Sequence, residues 1–364
     1  VAAKSVSAGF ECDLRHKLQS KFGARLRAAW RIVRVRKSVK QRKLRLLIVG
    51  AGDVARRLTT RIDLNDRVRW LGIARSNDTA IALRQHGILP IDGDLDFLPS
   101  LKRAGAMARS ASAVLHLAPP PGDGTDDARM KRWLAVASTR SKYGRGGQVN
   151  GVAAHSKKAS LRRHKPLRNV YVSTTGVYGD CVGERINETR RTSPTNARAK
   201  RRVAAEARVR ATRGARSTIL RAPGIYAAER LPVERLRAGT PALTTDDDVF
   251  TNHIHGDDLA RAVWLAVFRG GANRVLNVVD DGEQKMGDYF DRVADAVGLP
   301  RPPRMPRALL IREVSPMLYS FMSESRRIEN QRMKRELRLR LAYPTPATLL
   351  AKLKPAAALQ RPLL

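Results

Sequence analysis

A short apolar run, Leu44-Arg-Leu-Leu-Ile-Val49, ends in Gly50-Ala51-Gly52 and passes directly into Asp53-Val-Ala-Arg-Arg-Leu58, which reads as the first turns of a helix. No other feature constrains the fold as much. The first glycine permits a tight turn, and the second, without a Cβ, lets a ligand approach the backbone. The small Ala55 lets helix and strand pack closely. The free amides and dipole of the helix N-terminus then favour a phosphate. In this context the spacing Gly50-x-Gly52-x-x-Ala55 points to the pyrophosphate of a dinucleotide.

The same alternation continues downstream. Short apolar runs at 68–74, 88–91, 113–117, 169–173 and 217–221 read as further strands, and 79–86 has helical spacing closed by Gly87. Strands that alternate with helices imply a parallel sheet with right-handed crossovers, a doubly wound Rossmann-type α/β fold. The expected dinucleotide-binding domain spans 43–226. Within it, 139–168 is rich in Gly, Lys and Arg, lacks periodicity, and reads as a flexible basic insertion. Residues 227–364 form a smaller C-terminal region over the carboxyl edge of the sheet, with 253–280 returning to the core and a basic helix around 324–339. Residues 1–42 stand apart: Glu11 and Asp13 are their only acids, and they read as a poorly ordered basic extension. Their composition also suits an organelle transit peptide.

The 70 Lys and Arg against 33 Asp and Glu leave a formal charge of +37. The arginines are spread over almost every segment instead of lining one stripe, so no specific nucleic-acid partner is expected, only nonspecific attraction to polyanions at low salt. Cys12 and Cys181 cannot build a disulfide framework, and the seven histidines have no metal-ligand spacing. No metal is expected, no apolar run reaches membrane-spanning length, and a reducing, cytoplasmic setting follows.

The second strand ends in Ala74-Arg75-Ser76, where NAD-specific sites place an acid for the ribose 2′-hydroxyl. A guanidinium and a hydroxyl suit a 2′-phosphate instead, so NADP is favoured over NAD, although in so Arg-rich a chain the placement is also open to chance.

Several motifs in order resemble the extended short-chain dehydrogenase/reductase family, the NAD-dependent epimerase/dehydratases. Gly50-Ala-Gly-Asp53-Val54-Ala55 is similar to the cofactor turn, and Gly93-Asp94-Leu95 to the acidic turn beside adenine. His116-Leu117-Ala118, followed by Pro119, resembles the segment that runs along the cofactor. Val172-Ser-Thr-Thr-Gly-Val-Tyr-Gly179 resembles the family's Ser/Thr-rich strand end, and Arg221-Ala-Pro-Gly-Ile-Tyr226 its sixth-strand motif, whose proline, here Pro223, sits near nicotinamide. His253-Ile-His-Gly-Asp-Asp-Leu-Ala260 resembles an acidic helix start, and Asn277-Val-Val-Asp280 the strand after it.

One element departs from that pattern. The family's Tyr and Lys stand four residues apart on one helix face. Counting back from Glu206, Arg202 falls at the Lys position and Arg198 at the Tyr position, which resembles the atypical members. An arginine does not give up its proton, so Arg198 is expected to act as an electrostatic clamp on an anion or developing oxyanion, while Arg202 holds ribose or phosphate. Thr174 falls at the catalytic Ser/Thr position, as a substrate partner or as a capping hydroxyl. Tyr178 is the remaining candidate acid. His255 and Asp257 are expected to cap and pack their helix. The resemblance implies an oxidoreductase or epimerase/dehydratase acting on a small polar substrate, a sugar nucleotide in many members, and a homodimer. The missing Tyr–Lys pair leaves a non-catalytic NADP sensor as the alternative.

Overall fold

The computed structural model describes residues 43–61, 67–138, 167–212 and 214–353. The basic extension at 1–42 and nearly all of the insertion at 139–168 lie outside the described residues; of the latter, Leu167 and Arg168 already belong to a strand.

The predicted alternation is realised as β1 (Leu44–Val49), α1 (Asp53–Arg61), β2 (Val68–Ala74), α2 (Asn77–Gln85), β3 (Leu89–Asp92), α3 (Lys102–Ser110), β4 (Ala113–His116), α4 (Ala128–Ala137), β5 (Leu167–Thr174), α5 (Ala197–Ala211) and β6 (Ala215–Ala222). After an excursion the chain returns through α6 (Gly256–Arg269) to β7 (Arg274–Asn277). The strands form one seven-stranded sheet in the order β7-β6-β5-β4-β1-β2-β3, every pair parallel. Leu46, Leu47, Ile48 and Val49 of β1 are all fully buried, as a central parallel strand covered on both faces requires. On one face Leu46 and Ile48 pack with Leu58 of α1, Leu83 of α2 and Val263 of α6. On the other, Leu47 and Val49 meet Ala104 of α3, Trp133 of α4 and Val209 of α5. Strand order reverses between β4 and β1, which opens a crevice at the carboxyl edge.

The C-terminal region is built from α7 (Met286–Val297), short helices and two-stranded pairs. Asp258 in the first turn of α6 ties it to the core. That fully buried carboxylate accepts hydrogen bonds from Ala342 N and Tyr343 N, both 2.9 Å, and pairs with Arg261 at 2.9 Å. Two details differ from expectation. The strand predicted at 277–280 runs over Arg274–Asn277, with Val278 N donating the last ladder bond to Arg221 O. The basic helix expected around 324–339 is confined to Gln331–Leu337, since Arg327–Ile328 is drawn out beside Arg185–Ile186.

Candidate active site

The Gly50 turn meets the geometric demands of a dinucleotide cradle. Gly50 has φ +93°, and a Cβ there would lie 2.4 Å from Ala118 N, so the residue after β4 is pressed against the turn. Ala118 N and Leu117 N both donate to Val49 O, which fixes that approach. At Gly52 a Cβ would meet nothing within 4 Å, so the backbone faces open space where a phosphate fits. Ala55 is fully buried between α1 and the sheet. Asp53 beside the turn is neutralised by Arg57 at 3.0 Å and Arg230 at 3.1 Å, and the neighbouring Val54 is half-buried. The residues present therefore fit a dinucleotide.

The adenosine end is formed by adjacent strand ends. Ala74 pairs with Asp92, and Gly93 N donates to Ala74 O, bringing Asp94-Leu95 beside Arg75-Ser76. Arg75 is exposed. The Ser76 hydroxyl caps α2 by accepting from Thr79 N at 3.3 Å, and the Asp94 carboxylate accepts from Asp96 N at 2.8 Å. Pro119 follows Ala118 as an exposed residue.

Beyond the Gly turn a cavity of about 740 Å³ opens between the carboxyl edge and the C-terminal region. Thr174, Pro223 and Arg198 line it, as does Arg230, which links it to Asp53. Thr174 ends β5, and its hydroxyl accepts from Gly176 N at 3.2 Å; it is thus both a cap and a cavity group. Arg198 rests 5.2 Å from the centre of the Phe321 ring. Burial, and then Arg202 and Arg201, hold its guanidinium below the ordinary value. Arg202 turns toward the sheet, donating to Val172 O at 3.0 Å and to the Tyr171 hydroxyl at 3.1 Å. Beneath it His116, almost fully buried with neither ring nitrogen partnered, is pushed down to about 3 by desolvation and by Arg202.

Tyr178 does not reach the cavity. It is 1% exposed, donates to Asn277 Oδ1 at 2.7 Å, and lies under Arg221. Arg221 in turn makes bonds of 3.0 and 2.7 Å to buried Glu206. The motif residues Tyr178, Arg221, Glu206 and Asn277 thus form an internal knot joining α5, β6 and β7. His255 caps α6, its Nδ1 accepting from Asp257 N at 3.1 Å, and Asp257 pairs with Arg57 at 2.7 Å, as expected of packing residues. Cys181 is buried, and burial raises its thiol. Sequence reasoning missed Arg201 and Arg235 on the cavity wall. Arg201 follows Arg198 by one helical turn and was open to inference; Arg235 lies in a segment without motifs.

These features define a doubly wound α/β protein with a capped cavity at its switch point and a glycine turn that fits a dinucleotide. No family model and no curated protein matches the chain. Among solved structures, a functionally unknown conserved protein from Silicibacter pomeroyi is 28% identical, with a TM-score of 0.65 over 85% of this chain and 98% of that one. A dTDP-glucose 4,6-dehydratase from Bacillus anthracis in complex with NAD is 14% identical, with a TM-score of 0.63 over 85% and 95%. A UDP-glucose 4-epimerase from Thermotoga maritima with UDP-glucose is 16% identical, with a TM-score of 0.62 over 85% and 97%. The fold is that of the NAD-dependent epimerases and dehydratases of the extended short-chain dehydrogenase/reductase type. Among the described residues no helix is long and apolar enough to cross a membrane.

Proposed function

We propose that the chain is an NAD(P)-dependent oxidoreductase or epimerase/dehydratase-like enzyme acting on a small anionic substrate, of which the sugar nucleotides bound by its structural neighbours are one form. The observation that carries this reading is the bridge between cradle and cavity: Arg230 lines the Thr174–Pro223 cavity and pairs at 3.1 Å with Asp53, the residue that follows the Gly50–Gly52 turn. Gly50, Gly52, Asp53 and Val54 would hold the pyrophosphate, and Asp94 and Leu95 the adenine. Arg75 and Ser76 would hold a 2′-phosphate, favouring NADP. Leu117, Ala118, Pro119 and Pro223 would flank the nicotinamide half, with Arg202 toward its ribose. The bound cofactor supplies a hydride donor or acceptor. Thr174 orients the substrate oxygen, and Arg198 stabilises negative charge developing on it, without exchanging a proton. Tyr178, whose hydroxyl is committed to Asn277, takes no part.

The test is thermal unfolding with NAD and NADP titrated separately, since a ligand bound only by the native state stabilises by RT ln(1 + [L]/Kd). Stabilisation by NADP over NAD, reversed by Arg75→Ala and abolished by Gly52→Glu, is expected; no stabilisation by either cofactor defeats the reading. The second reading, a non-catalytic NADP sensor, is favoured by one observation: Arg198 and Arg202 stand where a Tyr–Lys pair would act. It requires that Thr174→Ala leave every measurable behaviour intact and that no turnover appear on any substrate.

A further inference from the structure

The cavity wall holds three arginines that no carboxylate among the described residues neutralises. Arg198 and Arg201 lie one turn apart on α5, and Arg235 lies on the short helix Val233–Arg237. Among the described residues none of the three pairs with a carboxylate. Arg201 donates to Gly124 O at 2.5 Å, and Arg235 to Pro241 O at 3.1 Å. Arg235 also lies 4.1 Å over the Phe290 ring, and desolvation pushes it down to about 10. A guanidinium crowded as Arg198 is by Arg202 and Arg201, or desolvated as Arg235 is, is unfavourable until an anion joins it.

Around them the wall is apolar. Phe250, Phe290, Met317 and Phe321 line it, and Met317 and Phe321 remain 74% and 48% exposed. Several of the polar side chains on this wall are already engaged within the fold. Glu324 is held by Arg326 at 2.6 Å and Thr195 at 2.8 Å. Asn252 uses its amide on Arg326 O and its carbonyl on Ile328 N. The Ser320 hydroxyl donates to Met317 O.

We propose that the substrate is an amphiphilic anion, with one carboxylate or phosphate monoester among Arg198, Arg201 and Arg235 and an apolar acyl or aryl body against Phe250, Phe290, Met317 and Phe321. This rests on the oxidoreductase reading for its place beside the cofactor, but not for its binding chemistry.

Calorimetric titration of the full-length protein tests it, with and without NADPH, at about 200 mM salt so that generic attraction to the basic chain is screened. The probes are octanoate, octyl phosphate, acetate, inorganic phosphate, 1-octanol and UDP-glucose. An octyl anion should bind at least about tenfold tighter than its headgroup alone, than octanol, or than UDP-glucose, and the tighter of the two octyl anions identifies the headgroup. Arg235→Met should weaken it about tenfold, and so should Phe321→Ser, a change at an exposed side chain that leaves folding intact. Equal binding of octanol and both octyl anions, or tighter binding of UDP-glucose, overturns the proposal. Cofactor competence is read in the same samples from stabilisation by NADPH. Loss of that signal sinks the oxidoreductase reading, while octyl-anion binding without NADPH decides the substrate class separately.

Discussion

Buried ionisable residues set how this protein responds to mutation and pH. Glu206, 1% exposed, accepts two hydrogen bonds from Arg221, itself 3% exposed. Burial alone would lower the Arg221 guanidinium, but those bonds outweigh it and raise it. Glu206→Ala strands a buried cation and should cost about 3–5 kcal/mol, read as a fall in the urea midpoint, whereas a change near zero would mean that water enters the knot. Asp280 is pushed up to about 8 by burial, with Asp281 adding to it, while desolvation holds His253 at about 4 and His116 at about 3. Between pH 4 and the ordinary histidine value of 6.5, the unfolded chain protonates both histidines and the native state does not, so their contribution to stability rises with pH. From its ordinary 3.8 up to about 8, Asp280 keeps its proton only when folded, so its contribution falls with pH. Two rising groups outweigh one falling group below 6.5, and Asp280 alone acts above it, at about 1.4 kcal/mol per pH unit. Burial also lowers His255, which adds a rising group below 6.5, and raises Asp127 and Asp248, which add falling groups above 3.8. Stability should therefore peak near pH 6.5. Asp280→Asn should flatten the decline toward pH 8, and an unchanged decline would remove Asp280 as its source.

At the scale of elements, helix crossings depend on residues whose value is invisible to propensity. Gly105 sits inside α3, where Ala would ordinarily gain about 1 kcal/mol. A Cβ there, however, would lie 2.6 Å from Val136 O of α4, a backbone atom that cannot rotate away. Gly105→Ala should thus destabilise by about 1–3 kcal/mol, because parting the helices costs more than the propensity returns; a stabilised variant in thermal unfolding would refute this. The same contrast explains what the sequence disclosed. The alternating strands and the Gly50 turn were legible because periodicity and glycine spacing are local signals. Tyr178 and Arg221 were legible as motif residues but not as partners, since the Arg221–Glu206 ion pair and the contact of Arg221 with the Tyr178 ring close between segments far apart in sequence. Arg235 was illegible: its segment carries no periodicity, and only the packing of α7 places it beside Phe290.

At the scale of the whole molecule, charge opposes compactness. Even if each of the 33 acidic residues took one basic partner, 37 of the 70 Lys and Arg would be left without one. Salt acts on both populations. It weakens pairs such as Arg301–Asp295, at 2.8 Å and well exposed, but such pairs add little to stability. It also screens the repulsion among the excess cations, which is stronger in the folded chain because they lie closer together there. With an excess this large, relief of repulsion should win. Raising sodium chloride from about 20 to about 200 mM should increase the melting temperature, most steeply at the low end, where the screening length shortens fastest. A polyanion such as heparin should mimic that increase at low salt and lose its effect at high salt, because its attraction to the chain is itself electrostatic. A melting temperature that falls steadily with added salt would show instead that the ion pairs, not the excess charge, govern stability.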